Sequence, residues 1–131
     1  MKLFSVPLLI ILIAVFSVSC GYSSPGNTPA QAGITPAIMQ LVPNNATHGA
    51  AAFTLTVNGS NFNSDATVVW NGSNLTTTFV TANQVTGAVP ASAIANAGSV
   101  SVSVTNPGTS GGIYGGGTLP ETSNTMTFTI N

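Results

Sequence analysis

The stretch SVSVSVT, residues 99–105, is the most regular in the chain. Val100, Val102 and Val104 fall on one side of an extended backbone. Ser99, Ser101, Ser103 and Thr105 fall on the other, because successive side chains of a strand point to opposite faces. A period of two over seven residues predicts a half-buried β-strand with its valines inward. The same alternation recurs on both sides of it. Residues 52–57 align Phe53, Leu55 and Val57. Residues 67–71 align Val68 with Trp70 and end at Asn71-Gly72, a turn dipeptide. Residues 75–80 and 84–89 are two more strands. The closing segment puts Met126, Phe128 and Ile130 inward, with Thr125, Thr127 and Thr129 outward. An opening strand at 38–42 lies between Pro36 and Pro43, which suits a sheet edge. Residues 58–61 (NGSN) read as a turn, and 90–98 (PASAIANAG) as the one short helical or 3₁₀ candidate. Thr, Ser, Asn, Val, Ala and Gly dominate, and helix formers are scarce. The prediction is an all-β domain of about seven strands in two antiparallel sheets, whose apolar faces must cover each other.

Composition narrows the function. Charged residues are 2% of the 131, against about 25% in an ordinary domain. Lys2 is the only cation and there is no Arg, so nucleic acid is not an expected partner. The single cysteine, Cys20, excludes an internal disulfide framework. His48, Asp65 and Glu121 are the only conventional acid–base or metal-ligating residues in the body of the chain. No metal, cofactor or catalytic centre is expected, and the protein is not read as an enzyme. His48, Asp65 and a nearby Ser could be drawn as a hydrolase triad, but the chain has no nucleophile-elbow motif. Asp65 is more simply a turn residue, and one carboxylate makes a poor calcium site.

The first nineteen residues read as an export signal. Lys2 precedes an apolar run over residues 3–18, and small residues close it. Ser17-Val18-Ser19-Cys20 resembles a bacterial lipobox, although Ser17 stands where that motif prefers Leu. The resemblance implies cleavage before Cys20, a diacylglyceryl group on its sulfur and often an added N-acyl chain. Cys20 is thus the candidate lipidation site. Two or more chains anchor a protein stably on a membrane. The expected location is a membrane-anchored lipoprotein on the cell surface or in the periplasm. Gly21, rather than Asp, after the cysteine favours the outer membrane where there is one. Residues 20–33 read as a lipid-anchored flexible linker rich in Ser, Pro, Gly and Asn.

Residues 34–131 form one domain. Its segments ITPAIMQLVPNNATHG, FTLTVNGSNF, ATVVWNGSNL, VPASAIANAGSVSVSVTNPG and TMTFTIN resemble the IPT/TIG domain. Its most specific pieces are Val57-x-Gly59-x-x-Phe62, Val68-x-Trp70-x-Gly72 and Asn106-Pro107. The resemblance implies an immunoglobulin-like β-sandwich without the Cys–Trp–Cys signature of antibody domains. It also implies a noncatalytic binding or structural module with a protein or envelope partner. The alternative is a carbohydrate-binding accessory domain using the Gly-rich loop around Tyr114.

Trp70 could stack on a sugar, but its phase with Val68 places it in the core. Phe53, Phe62, Phe79 and Phe128 read the same way. Residues 107–120 (PGTSGGIYGGGTLP) are the unusual feature. Five glycines flank Ile113 and Tyr114, an apolar and aromatic pair on a long loop at one end of the sandwich. Such loops carry recognition in immunoglobulin-like folds, so Ile113 and Tyr114 are the candidate partner-binding residues. A tolerated flexible insertion is the plainer alternative. Asn45, Asn58, Asn71 and Asn74 begin N-x-S/T sequons, which carry no meaning in a bacterial lipoprotein.

Overall fold

A computed structural model describes residues 28–113 and 115–131. The apolar leader, Cys20 and Tyr114 lie outside the described residues. In chain order the strands are β1 (Ala37–Val42), β2 (Asn45–Ala46), β3 (Phe53–Ser60), β4 (Thr67–Trp70), β5 (Ser73–Asn74), β6 (Thr76–Thr81) and β7 (Gln84–Val89). A 3₁₀ turn (Ala91–Ile94) follows, where the short helical candidate was expected. Then come β8 (Gly98–Asn106), β9 (Ser110–Gly112), β10 (Gly115–Gly117), β11 (Glu121–Thr122) and β12 (Met126–Ile130). The seven strands of four or more residues are the seven expected from alternation.

One sheet has the order β1-β3-β7-β6. The other has the order β2-β12-β8-β4-β5, with β11 paired on β8. This arrangement, four strands facing a three-strand centre, is that of the seven-stranded immunoglobulin sandwich. The sheets are antiparallel except where β2 runs parallel to β12, Asn45 opposite Thr129. β1 and β2 therefore pair with different sheets, on either side of Pro43.

The registers sort the loops between two ends. Ala37 pairs with Ser60 and Thr67 with Thr105. The start of β1, the end of β3, the start of β4 and the whole β8–β12 connection thus share one end, which we call the N-terminal end. Asn131, the 3₁₀ turn and the Asn71-Gly72 turn lie at the far end. Asn71 and Gly72 have φ of 48° and 83°. This is the paired positive φ that a two-residue hairpin from β4 to β5 requires.

Leu55, Val57, Val68, Val85, Val102, Val104 and Phe128 are fully buried between the sheets. The Phe128 ring lies 4.9 Å from Trp70 and 5.7 Å from Phe53, centroid to centroid. Trp70 is a core residue, as its phase with Val68 predicted. Gly87 faces the interior, where Leu75 and Val68 occupy the space a side chain would need.

Three expectations change. Residues 58–61 are not a simple turn, because Gly59 and Ser60 still belong to β3 and pair with Ile38 and Ala37. A Cβ on Gly59 would collide with the Ala37 carbonyl oxygen and the Phe62 ring. The glycine is needed for close approach, and the positive φ of 60° falls on Asn61. Phe79 is not fully in the core. It shares a face with buried Val85, but β6 is an edge strand, and Phe79 stays 38% exposed. Ser103, expected outward, is buried, while Ser101 on the same face of β8 stays exposed.

Candidate interaction surfaces

The glycine-rich loop is built as a two-stranded hairpin. Gly112 pairs with Gly115 and Ser110 with Gly117. At its base, Thr109 N donates to Thr118 Oγ1 at 3.1 Å, and Thr118 N reaches Thr109 Oγ1 at 3.0 Å. The glycines let the two strands approach. A Cβ on Gly111 would strike the Gly116 carbonyl, and one on Gly117 the Thr109 carbonyl. Gly115, Gly116 and Gly117 all have positive φ, which only glycine adopts readily. Ile113, a candidate partner-binding residue, is 91% exposed at the tip. Its companion Tyr114 lies outside the described residues.

The described part of the expected linker is not a free tether. Thr28 and Gln31 run parallel to Gly115 and Thr118. Gly116 N donates to Thr28 O at 2.9 Å, Gln31 N to Gly117 O at 2.9 Å and Leu119 N to Gln31 O at 2.8 Å. Backbone N–H groups of the hairpin's outer strand would otherwise face water, and residues 28–31 satisfy them. Nothing in the composition of a Ser/Pro/Gly-rich segment signals such pairing.

Two asparagines hold this end together, and neither was singled out as a site in the sequence. Asn106 is 2% exposed. Its Nδ2 donates to Ile34 O at 2.8 Å and Asn61 O at 2.7 Å, while Oδ1 accepts from Asn63 N at 3.0 Å. Asn124 bonds β1 from the chain just before β12. Ser123, beside it, accepts from Val104 N through Oγ at 2.9 Å.

This sandwich, entered through the buried Pro36 and with the buried Asn106 ending β8 before Pro107, corresponds to a family model described as the IPT/TIG domain, matched over residues 36–129. That is well over half of the chain. The chain belongs to the IPT/TIG family. No curated protein and no solved structure matches it. IPT/TIG domains are generally noncatalytic, immunoglobulin-like modules involved in protein interactions.

The acid–base residues of this IPT/TIG domain do not converge. His48 Nδ1 donates to Asn131 O at 2.6 Å, and no hydrogen bond joins it to Asp65 or a serine. Glu121 accepts from Thr35 Oγ1 at 3.3 Å. Among the described residues no three His, Cys, Asp or Glu side chains gather as a metal site. No helix among them is long and apolar enough to cross a membrane.

A concavity opens at the far end. It is an open groove of about 550 Å³ lined by Phe53, Leu75, Val89 and Pro90, with Asn74 and Thr54 at its margin. It forms where the chain leaves β5 in one sheet and joins β6 in the other. Leu75 N donates to Val68 O at 2.9 Å there, and Thr77 Oγ1 accepts from Val68 N at 2.8 Å. The groove offers apolar surface with hydroxyl and amide groups around it, and no charge.

Proposed function

We propose that the protein is an exported, lipid-anchored IPT/TIG module of a bacterial envelope, noncatalytic, which presents the far end of its sandwich to a protein or envelope partner. The family supports a module for interaction rather than chemistry. The observation that carries the reading is the separation of the two ends. Thr28, the first described residue, lies beside the hairpin at the N-terminal end, while the apolar groove opens at the other. A domain held by its N-terminal cysteine then offers that groove outward. Trp70 is buried and gives a polysaccharide no stacking surface, and Tyr114, on which the carbohydrate-binding alternative rests, lies outside the described residues.

The anchor is tested by expressing the full chain in a lipoprotein-processing bacterium and measuring the mass of the Cys20 peptide. A thioether-linked diacylglyceryl group is expected, together with loss of membrane retention in Cys20→Ala. An unmodified Cys20 sinks the anchored reading. Photo-crosslinkers at Thr54 and Asn74, on intact cells, test the outward surface. Crosslinks to envelope components that vanish when Leu75→Ser opens the groove are expected.

A further inference from the structure

The N-terminal strand segment and the glycine hairpin together define where the anchor lies. Residues 28–31 run parallel to β10. Thr28 stands beside Gly115, next to the hairpin tip, and Gln31 beside Thr118, at its base. The chain from Cys20 therefore reaches the domain at the tip. Eight residue steps separate Cys20 from Thr28, a span of at most roughly 29 Å fully extended. The tip is the part of the described domain with the shortest chain path to the lipid-bearing residue.

That tip is suited to a lipid surface. Ile113 projects there 91% exposed. Ile34 and Leu119, at 63% and 51%, are exposed on the same unit. Residues 28–34 and 107–120 contain no charged side chain, so no ion has to be desolvated. A Cβ at Gly112 or Gly116 would meet nothing within 4 Å, so the flanks of the tip are open. The paired strands and the Thr109–Thr118 hydroxyl contacts brace the hairpin behind Ile113, which reduces the ordering cost of an encounter.

We propose that the tip of the β9–β10 hairpin, led by Ile113, is a membrane contact that settles into the interfacial zone of the lipid layer carrying the anchor. The inference rests on the reading of Cys20 as the lipidated residue. The depth is shallow, because the outer edge of a small sheet carries backbone groups that hydrocarbon cannot satisfy. The loop that would serve recognition in an antibody-like domain thus orients this one on its membrane, and leaves the far end outward.

The test places a tryptophan at each end of the full chain, as Ile113→Trp and, at the exposed far-end position, Ala51→Trp. Each protein is reconstituted through Cys20 into phosphatidylcholine vesicles brominated near the top of the acyl chains. If the mass of the Cys20 peptide shows no lipid, the anchored reading fails on its own. The same chains are then coupled through the Cys20 thiol to a maleimide lipid, so the contact is still measured. Emission from Ile113→Trp is expected to shift to the blue and fall by about half, with Ala51→Trp and the native Trp70 unaffected. Unquenched, unshifted emission from Ile113→Trp overturns the proposal. Equal quenching of Ala51→Trp also overturns it, since the domain would then have no preferred end against the lipid.

Discussion

Asn124 completes the hydrogen bonding of Ile38 from both sides of its side-chain amide. Ile38 N donates to Asn124 Oδ1 at 2.8 Å, and Asn124 Nδ2 donates to Ile38 O at 3.0 Å. One side chain therefore does for the edge strand β1 what a neighbouring strand's backbone would do. The bond crosses from the start of β12 in one sheet to β1 in the other, beside the bulge between Ile38 and Gln40. It covers part of an edge that would otherwise be open to pairing with another chain. Asn124→Ala is expected to cost about 1–2 kcal/mol, since two partly buried backbone groups lose their partners. Hydrogen exchange at the Ile38 amide should accelerate more than that of the β8 amides. Equal acceleration throughout the sandwich would show only a global loss of stability.

Asn106 is the costlier position. Its amide serves two carbonyls and one N–H from segments far apart in sequence. Truncation to Ala should destabilise by about 2–4 kcal/mol, because the orphaned groups stay partly buried. Asn106→Asp keeps the bond from Asn63 N but loses both donors, so it should recover only a fraction. Urea midpoints of the two variants, at unchanged slope, check the order.

The local rules read the strands and their inward faces because each is a property of five to nine consecutive residues. Val100, Val102 and Val104 declare their side within one strand. Asn106 and Asn124 do not, because their partners Ile34 and Ile38 are 72 and 86 positions away. An asparagine in a turn looks the same whether or not it ties two sheets. Phe79 failed for a related reason. Alternation gives the face of a side chain but not whether the opposite sheet extends over it. The glycine loop was conspicuous, yet its pairing with residues 28–31 follows from topology, which sets the first residues of the domain beside the β8–β12 connection. Cys20, the proposed anchor, and Tyr114 lie outside the described residues.

Gly59→Ala tests close approach against turn geometry. A methyl group there meets the Ala37 carbonyl and the Phe62 ring, so β1 must shift outward. The expected loss is about 3 kcal/mol, at the upper end of typical overpacking. Asn61→Gly should cost no more than about 0.5 kcal/mol, since glycine suits the φ of 60° while only the long, exposed bond from Asn61 Nδ2 to Thr35 O is lost. If Gly59→Ala proves harmless, the fit of β1 against β3 is looser than described.

Phe128→Ala removes the ring that contacts both Trp70 and Phe53. The fully buried site cannot collapse easily between two sheets, so about 3–5 kcal/mol is expected. The near-ultraviolet circular dichroism of Trp70 should weaken even where the folded state persists. Ile113→Ser, by contrast, should stay within about 0.5 kcal/mol of the parent, because the side chain packs on almost nothing.

Salt should have little effect on stability. Asp65 and Glu121 are the only acidic side chains, and no Lys or Arg follows Lys2. With no Lys or Arg among the described residues to pair with them, the Tm should move by no more than about 1 °C between low and moderate sodium chloride. A larger shift would point to a charge interaction involving the N-terminal residues.

The parallel run of residues 28–31 along β10 has a mechanical consequence. Tension on the chain from the anchor side pulls Thr28 along the strand axis, past the tip, and not sideways. The hydrogen bonds at Gly116, Gln31 and Leu119 are then loaded together in shear instead of being peeled one after another. With the anchor proposed at Cys20, flow and any bound partner would drag on that chain. Here the first load falls on three bonds sharing the force, ahead of the core.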